Sequence, residues 1–370
     1  MNGLMLGFAF MLPYHVMRTA AAAGVRVHVL GSGASQGLLA SRYCASYRRL
    51  ADPEDADAVL AEIETVCRRR AIDVILPSDD VSTRLLAGLR GRLPVPSVPL
   101  PDLATFDLLN DKGNFTRFCL ANGVRVPEGR VFDTAAAVRA ALAGGSLALP
   151  ITVKPTNRSG GIGVLHIRDE AELGLLDRAD YRPVLVQRHV VGETVGISVI
   201  ARDGEILAHA TQRCDTRRFE LFRHPDLYVN AARLVAATRY SGPANFDAVI
   251  EAATGDSYLV ECNPRFWFTI YLSLIAGLNF MAFALAPPNA APAGPTTLVG
   301  EPVSLVLGET LRRPWRATPA ERRLVRYHLG DPILYALNRA RLIDDSGVAV
   351  RPEQMTACEW GGGRALPSQA

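Results

Sequence analysis

The sequence has little cysteine, and none of it stands in a C-x-x-C pair. Its six cysteines (Cys44, Cys67, Cys119, Cys214, Cys262 and Cys358) are scattered. That pattern fits reduced thiols in a cytoplasmic protein and argues against a disulfide framework or a thiolate zinc site. Charge of one sign is also scarce. Lys+Arg number 40 and Asp+Glu 37, a net +3, too small to argue for a nucleic-acid partner. The arginines at 312, 313, 316, 322, 323 and 326 read as a solvated face. No internal repeat is visible. No second His or Cys lies at ligand spacing from His189, so an imidazole metal site is not expected. Long apolar runs are few. Residues 4–13 resemble a signal-peptide core, but no basic residue precedes them, and a buried first strand is the better reading. Residues 266–286 carry no charge and are long enough to cross a bilayer. Thr269, Ser273, Gly277 and Asn279 interrupt that run, so a buried core helix, and no membrane partner, is expected.

What is present describes a globular chain, 49% hydrophobic and 21% charged, with room for two or three domains. Residues 1–105 alternate apolar runs with helical patterns. Strands are expected at 4–12, 25–30 and 72–76, and helices at 14–23 and 54–70, the second capped by Asp52 with Pro53 in its first turn. This alternation predicts a Rossmann-like parallel sheet with helices on both faces. Ligand crevices in such sheets lie beyond the strand C-terminal ends. Asp79 and Asp80 follow the third predicted strand, and so face either a ligand or solvent. The glycine run at 31–37 follows the second strand rather than the first and has the wrong spacing for a dinucleotide fingerprint, so it reads as a βα loop. Residues 93–101 form a proline-rich connector at a natural domain boundary.

Chemistry-bearing residues gather beyond that boundary. Asn110 or Asp111 opens a helix whose first turn holds Lys112. A cation there opposes the helix dipole, which suits a lysine reaching for an anion, or a plain surface lysine. Lys154 lies inside the apolar strand that opens residues 150–167. A buried ammonium needs a counter-charge. The following loop, 157–163, includes Ser159, Gly160 and Gly161, whose backbone N–H groups suit phosphate oxygens, although this is not a Walker A sequence. Residues 184–200 hold two strands. Gln187, His189, Val190 and Glu193 lie where the first ends and the second begins, a place for backbone groups to read an adenine edge and for Glu193 to accept from ribose hydroxyls. Residues 211–223, with Arg213, Arg217, Arg218 and Arg223, read as a mobile loop that neutralises phosphate or a substrate carboxylate, or as solvated charge. A helix is expected at 225–239.

The last signal is a hairpin over 245–261, turning at Thr254, Gly255 and Asp256. Glu261 and Asn263 point the same way at a strand end, and Asp247 lies on the partner strand. Two carboxylates and an amide oxygen suit Mg²⁺ or Mn²⁺. An ordinary hairpin with acidic ends is the plain alternative.

Taken together, Asp111-Lys112, Val153-Lys154-Pro155 with its glycine loop, Gln187 through Glu193, Asp247, and Glu261-Cys262-Asn263-Pro264-Arg265 resemble the ATP-grasp superfamily, in the branch of carboxylate–amine ligases and carbamoyl-phosphate synthetase domains. The resemblance implies an ATP-grasp fold at 106–290, with a lid subdomain at about 125–190. A Rossmann-like α/β domain at 1–105 precedes it and a C-terminal extension at 291–370 follows. It implies ATP held by Lys112, Lys154, Ser159, Gly160, Gly161, Gln187, His189, Val190 and Glu193, and Mg²⁺ (or Mn²⁺) held by Asp247, Glu261 and Asn263. Lys154 and Arg265 would act on the transferred phosphoryl group, and Arg213, Arg217 and Asp79 are the candidate substrate contacts. Members often have glutamate where Gln187 stands, which leaves base selectivity open. The implied reaction is ligation of a small-molecule carboxylate to an amine or thiol through an acyl phosphate. A small-molecule kinase or carboxylase using the same site, and a non-catalytic ATP-binding module, are the alternatives. No biotinyl Met-Lys-Met sequence is present. A homodimer is left open.

Overall fold

The structure is a computed structural model that describes residues 1–50, 54–158, 160–215, 217–288 and 296–334. Its first unit is a parallel sheet built from β1 (Asn2–Gly7), β2 (Arg26–Gly31), β3 (Cys44–Arg49) and β4 (Val74–Leu76), in the order β3-β2-β1-β4. Successive side chains alternate between two faces. Leu4, Leu6, Leu30 and Ile75 pack with residues of α2 (Ala56–Arg70) and α3 (Asp80–Leu89), while Met5, Val27, Val29 and Leu76 pack with α1 (Met11–Ala22). Three expectations need correction. The strand read at 4–12 ends at Gly7, because α1 starts at Met11. The edge strand β3 was not anticipated, since its CASYRR sequence is mostly polar and half-exposed. The cap of α2 is Asp55, whose carboxylate accepts from the backbone N–H of Asp57 and Ala58; Asp52 and Pro53 lie outside the described residues.

The proline-rich connector is not a free linker, because Ser97 pairs with Ile75 in a parallel bridge. It leads through α4 (Leu103–Asn110) and α5 (Lys112–Ala121) into a four-stranded antiparallel sheet. Its order is β5-β8-β6-β7, from β5 (Gly129–Phe132), β6 (Ile151–Pro155), β7 (Leu165–Ile167) and β8 (Val184–Arg188). The helix α6 (Ala135–Ala143) covers one face through Val138, against Ile151, Val153, Val184 and Val186.

A six-stranded antiparallel sheet follows, in the order β13-β12-β9-β10-β11-β14. Its strands are β9 (Gly192–Arg202), β10 (Glu205–Cys214), β11 (Arg218–Phe222), β12 (Gly242–Glu251), β13 (Ser257–Asn263) and β14 (Val303–Ser304). The predicted loop at 211–223 is therefore largely a β10–β11 hairpin. One face packs on α5 and α7 (Pro225–Ala237) through Ile197, Val199, Phe246, Leu227 and Leu234. The other face shares a core with α1, α8 (Ile270–Ala276) and α9 (Phe280–Leu285), which joins this sheet to the parallel one. The apolar run at 266–286 is thus two short helices. They separate at Gly277, whose φ is 120°, and Asn279 caps the second through the N–H of Met281. Among the described residues no helix is long and apolar enough to cross a membrane.

After α10 (Leu307–Arg312), α11 (Pro319–Leu329) packs back onto α8, and Tyr327 stacks on Tyr271 at 5.2 Å. Asp331 is buried and its carboxylate accepts from Ser41 Oγ and, at 3.2 Å, from the N–H of Arg42. Residues beyond 334 lie outside the described residues.

Candidate functional site

A cavity of about 620 Å³ lies between the two antiparallel sheets. Lys154 and Gln187 line it from the smaller sheet, and Asn245, Asp247 and Glu261 from the larger. The strand register explains the second group. Asn245 stands opposite Asn263 and Asp247 opposite Glu261, with a bulge just after Asp247. Asn245 Nδ2 donates to Asp247 Oδ1 at 2.8 Å, and Asn263 Nδ2 to Glu261 Oε1 at 3.3 Å. Burial and the facing Glu261 charge push the Asp247 carboxyl well above the usual carboxylate range. Burial also acts upward on Glu261, but the charges of Lys112 and Lys154 outweigh it and hold that carboxyl below its ordinary value.

The two lysines reach this pair from different elements. Lys112, in the first turn of α5, places Nζ 3.2 Å from Glu261 and donates to the Arg158 carbonyl at 2.6 Å. Lys154, on β6, donates to the Val260 carbonyl at 2.8 Å. Burial pulls the Lys154 ammonium down to about 8, against the opposing pull of Glu261. The counter-charge that an apolar strand demanded of Lys154 is therefore present. Arg265 completes the set. Its Nη2 donates to Asn263 Oδ1 at 3.1 Å, Nη1 to the Phe266 carbonyl at 2.9 Å, and Nε to Asp80 at 2.8 Å.

Two opposed carboxylates in a desolvated place repel each other, and a cation relieves that repulsion. Among the described residues no group of three or more His, Cys, Asp and Glu side chains is arranged for a metal. The oxygen set Asp247, Glu261 and Asn263 instead suits a hard divalent ion that completes its shell from phosphate and water. The residues thus fit Mg²⁺.

Gly160 and Gly161 also line the cavity, each with φ of 67°, a left-handed backbone that glycine adopts without strain. Ser159 lies outside the described residues. The Gln187 side chain is tied into the wall, with Nε2 donating to Thr116 Oγ1 at 3.2 Å and the Pro127 carbonyl at 3.3 Å. His189 and Val190 line the same wall. His189 Nδ1 is 2.9 Å from Thr152 Oγ1, and its ring is 4.9 Å from that of His166.

Three predicted contacts fall elsewhere, and a fourth lines the cavity but is already bonded within the protein. Glu193 is not among the cavity-lining residues although its neighbours Gly192 and Thr194 are; strand alternation turns it toward Arg213, 3.1 Å away. Arg213 is accordingly held by Glu193 and by the Phe222 ring, 4.1 Å from its guanidinium. Arg217 pairs with Glu309 at 2.8 Å. Neither arginine lines the cavity. Asp79 does, but its oxygens accept from the backbone N–H groups of Phe8, Ala9 and Ser82 at 2.5, 2.9 and 2.9 Å, which makes it the N-cap of α3. Its neighbour Asp80 is the carboxylate that meets Arg265. Sequence reasoning missed Thr152, His166, Gln212 and Asn245. Asn245, two residues before Asp247 on one strand face, was open to the same period-two argument; the others are isolated polar residues with no local signal.

Two antiparallel sheets gripping a cavity, with a parallel-sheet unit ahead of them, define the ATP-grasp fold, and this chain has it. No family model matches the sequence. The structure is similar to N5-carboxyaminoimidazole synthetase from Staphylococcus aureus complexed with ADP, at TM-score 0.64 and 14% identity over 85% of this chain and 86% of that one. It is similar to an L-amino acid ligase from Bacillus licheniformis, at TM-score 0.56 and 16% identity over 77% and 73% of the two chains. A third likeness is to the biotin carboxylase domain of the Hydrogenobacter thermophilus 2-oxoglutarate carboxylase, in complex with MgADP, ADP and bicarbonate, at TM-score 0.56 and 14% identity over 76% and 68%. Identities this low carry the fold and leave the substrate to be argued from the site.

Proposed function

We propose that the protein is an ATP- and Mg²⁺-dependent, ADP-forming ligase that activates a small-molecule carboxylate and joins it to an amine. The observation that carries this reading is the convergence of Lys112 and Lys154, from separate elements, on the opposed Asp247 and Glu261 at one part of the cavity between the sheets. The adenine lies along the backbone of Gln187 to Val190. Lys112 and Lys154 hold phosphate oxygens, and the glycine loop covers them. Asp247, Glu261 and Asn263 hold Mg²⁺, which supplies positive charge to the phosphate oxygens.

A carboxylate is a poor electrophile until its oxygen is made a leaving group. Transfer of the γ-phosphoryl to that oxygen gives an acyl phosphate and ADP. The amine then attacks the carbonyl carbon, phosphate leaves, and an amide forms with loss of a proton. The protein's part is charge and exclusion of water more than proton transfer. Arg265, held at three nitrogens, directs its remaining N–H groups at the transferring group. The ADP, MgADP and amino acid ligase descriptions of the similar structures support this reading.

The test is release of ADP and phosphate from Mg²⁺-ATP with amino acids offered singly and in pairs, together with the mass of the product. Release that needs two substrates and yields their condensed product supports the ligase. A phosphorylated product from one substrate makes the protein a kinase, and a requirement for bicarbonate makes it a carboxylase. Tight ATP binding without release under any pairing would overturn catalysis.

A further inference from the structure

The end of the cavity that meets the parallel-sheet unit is built from three short segments, and direct contacts tie them together. Asp79 holds two of them: its carboxylate accepts from the N–H groups of Phe8 and Ala9, so the approach to α1 is fixed against the first turn of α3, where Asp80 stands. The third segment leaves β13. Its Arg265 donates Nε to Asp80 at 2.8 Å, and its Phe268 ring lies edge-on to that of His15, centroids 5.0 Å apart. His15 is one turn along α1 from Met11 and Leu12, so Phe268 lies beside the start of that helix.

These residues are open to the cavity. Met11, Leu12, Asp80, Arg265 and Phe268 all line it, and none of them is fully buried. The Asp80 side chain is 46% exposed, against 13% for Arg265. Asp80 Oδ2 takes the bond from Arg265, and among the described residues no group bonds Oδ1. An accessible carboxylate oxygen therefore stands on this wall.

Its surroundings favour a cation with an apolar body. The parallel-sheet unit contributes Ala9, Met11, Leu12, Asp79 and Asp80 to the lining, which is two carboxylates and no basic residue. Asp79 is spent on the N–H groups of Phe8, Ala9 and Ser82, which leaves Asp80. A carboxylate oxygen accepts strongly from an ammonium. An acidic or phosphorylated amine would bring its anion against Asp80 and meet no basic residue from this unit. Met11, Leu12 and Phe268 offer apolar surface to a hydrocarbon side chain. Arg265 also donates to Asn263 Oδ1 at 3.1 Å, so one guanidinium spans from Asp80 to the residues assigned to Mg²⁺. An amine held on Asp80 thus adjoins the reacting centre.

We propose that Asp80, with Met11, Leu12 and Phe268, forms the subsite for the amine substrate, and that it takes a primary amine with an apolar side chain. Asp80 Oδ1 accepts from the ammonium, and the three apolar residues receive the side chain. This assignment rests on the ligase reading above and names the class of its second substrate.

The test is calorimetric titration of protein saturated with Mg²⁺ and the non-hydrolysable analogue AMPPNP. The probes are L-leucinamide, 4-methylpentanamide (the same body without the amino group), glycinamide (without the side chain) and phosphoethanolamine. L-Leucinamide should bind about tenfold or more tightly than each of the other three. Asp80→Asn and Asp80→Ser should each weaken L-leucinamide by about tenfold or more and abolish its advantage over 4-methylpentanamide, while AMPPNP affinity stays within about twofold. Retained AMPPNP binding shows that a variant has folded, and either variant suffices; the comparison of probes on the wild type needs neither. If Asp80 served only to position Arg265, both probes would weaken together and the advantage would persist, which would overturn the proposal. It is also overturned if nucleotide-loaded wild type binds no L-leucinamide, or binds 4-methylpentanamide, glycinamide or phosphoethanolamine as tightly. Failure of the wild type to take AMPPNP would instead remove the ligase reading, and this subsite with it.

Discussion

Asp80 accepts a 2.8 Å hydrogen bond from Arg265 Nε although 185 residues separate them in the chain. The pair joins the first turn of α3, in the parallel-sheet unit, to the residues that leave β13. The Arg265 side chain is 13% exposed and also bonds Asn263 and Phe266. Its guanidinium is therefore fixed before any substrate arrives, which is the preorganisation that electrostatic catalysis requires.

Arg265→Lys keeps the charge but cannot reproduce a planar fork holding three partners. It should lower kcat by about 100-fold with little change in the KM for ATP. Asp80→Asn should lower kcat by about tenfold, since Asn263 and the Phe266 carbonyl still hold the guanidinium. Steady-state ADP release measures both. A kcat for Arg265→Lys near that of wild type would remove Arg265 from the chemistry.

Asp247 and Glu261 set function against stability. In the metal-free protein the Asp247 carboxyl is driven upward by burial and by Glu261, so an uncharged isostere fits at least as well. Asp247→Asn should leave the metal-free protein as stable as wild type or more stable by about 1 kcal/mol. It should reduce turnover by about 1,000-fold. Added Mg²⁺-ATP should raise the Tm of the wild type and not that of the variant. A variant that loses stability without ligand and keeps its turnover would contradict the metal role.

The architecture was legible because it is written in local patterns. Alternating strands and helices gave the parallel sheet, and a turn between two apolar runs gave the hairpin that places Asp247 opposite Glu261. Lys154 stood out because an ammonium in an apolar strand needs an explanation. What failed was what depends on partners distant in sequence. Arg213 and Arg217 looked like substrate cations because Glu193 and Glu309 lie far along the chain. Asp79 and Asp80 are adjacent, and only the fold shows that the first caps α3 while the second meets Arg265. Gln212 carries no signal in its own stretch. Its place is fixed by Ser198 on β9, Asn245 on β12 and Thr269.

The glycine loop separates closure from folding. Gly160 has φ of 67°, and a Cβ there would meet nothing within 4 Å. Gly160→Val therefore strains the loop by about 1–2 kcal/mol without disturbing a core. Thermal stability should fall by no more than that strain. The KM for ATP should rise, and more ADP should form per product molecule as water reaches the acyl phosphate. The ratio of ADP to condensed product is the measurement. A ratio equal to that of wild type would show that this loop does not shield the intermediate.

A last expectation concerns acid stability, which is set away from the cavity. His15 is 3% exposed, stacks on Tyr271 at 4.1 Å and shares a 2.8 Å hydrogen bond with the Tyr327 hydroxyl. Burial, with the charges of His328 and Arg18 acting the same way, holds its imidazole well below the ordinary histidine value. Both folded and unfolded chains carry it neutral well above pH 6.5. Below that pH the unfolded chain takes up a proton that the folded chain refuses, so stability falls as the pH falls. For this one group the loss between pH 7.5 and 5.5 is about 1.3 kcal/mol. His328, which burial pushes down to about 4, acts in the same direction. His15→Phe keeps the stack on Tyr271 and gives up the bond to Tyr327, so it should be less stable at pH 7.5 by about 1 kcal/mol. It should nevertheless lose about 1.3 kcal/mol less than wild type on going to pH 5.5. Urea denaturation at the two pH values reads both numbers. Equal losses in the two proteins would mean that His15 takes up its proton in the folded state, and that the packing of α11 against α1 and α8 admits a charge that the structure gives it no room for.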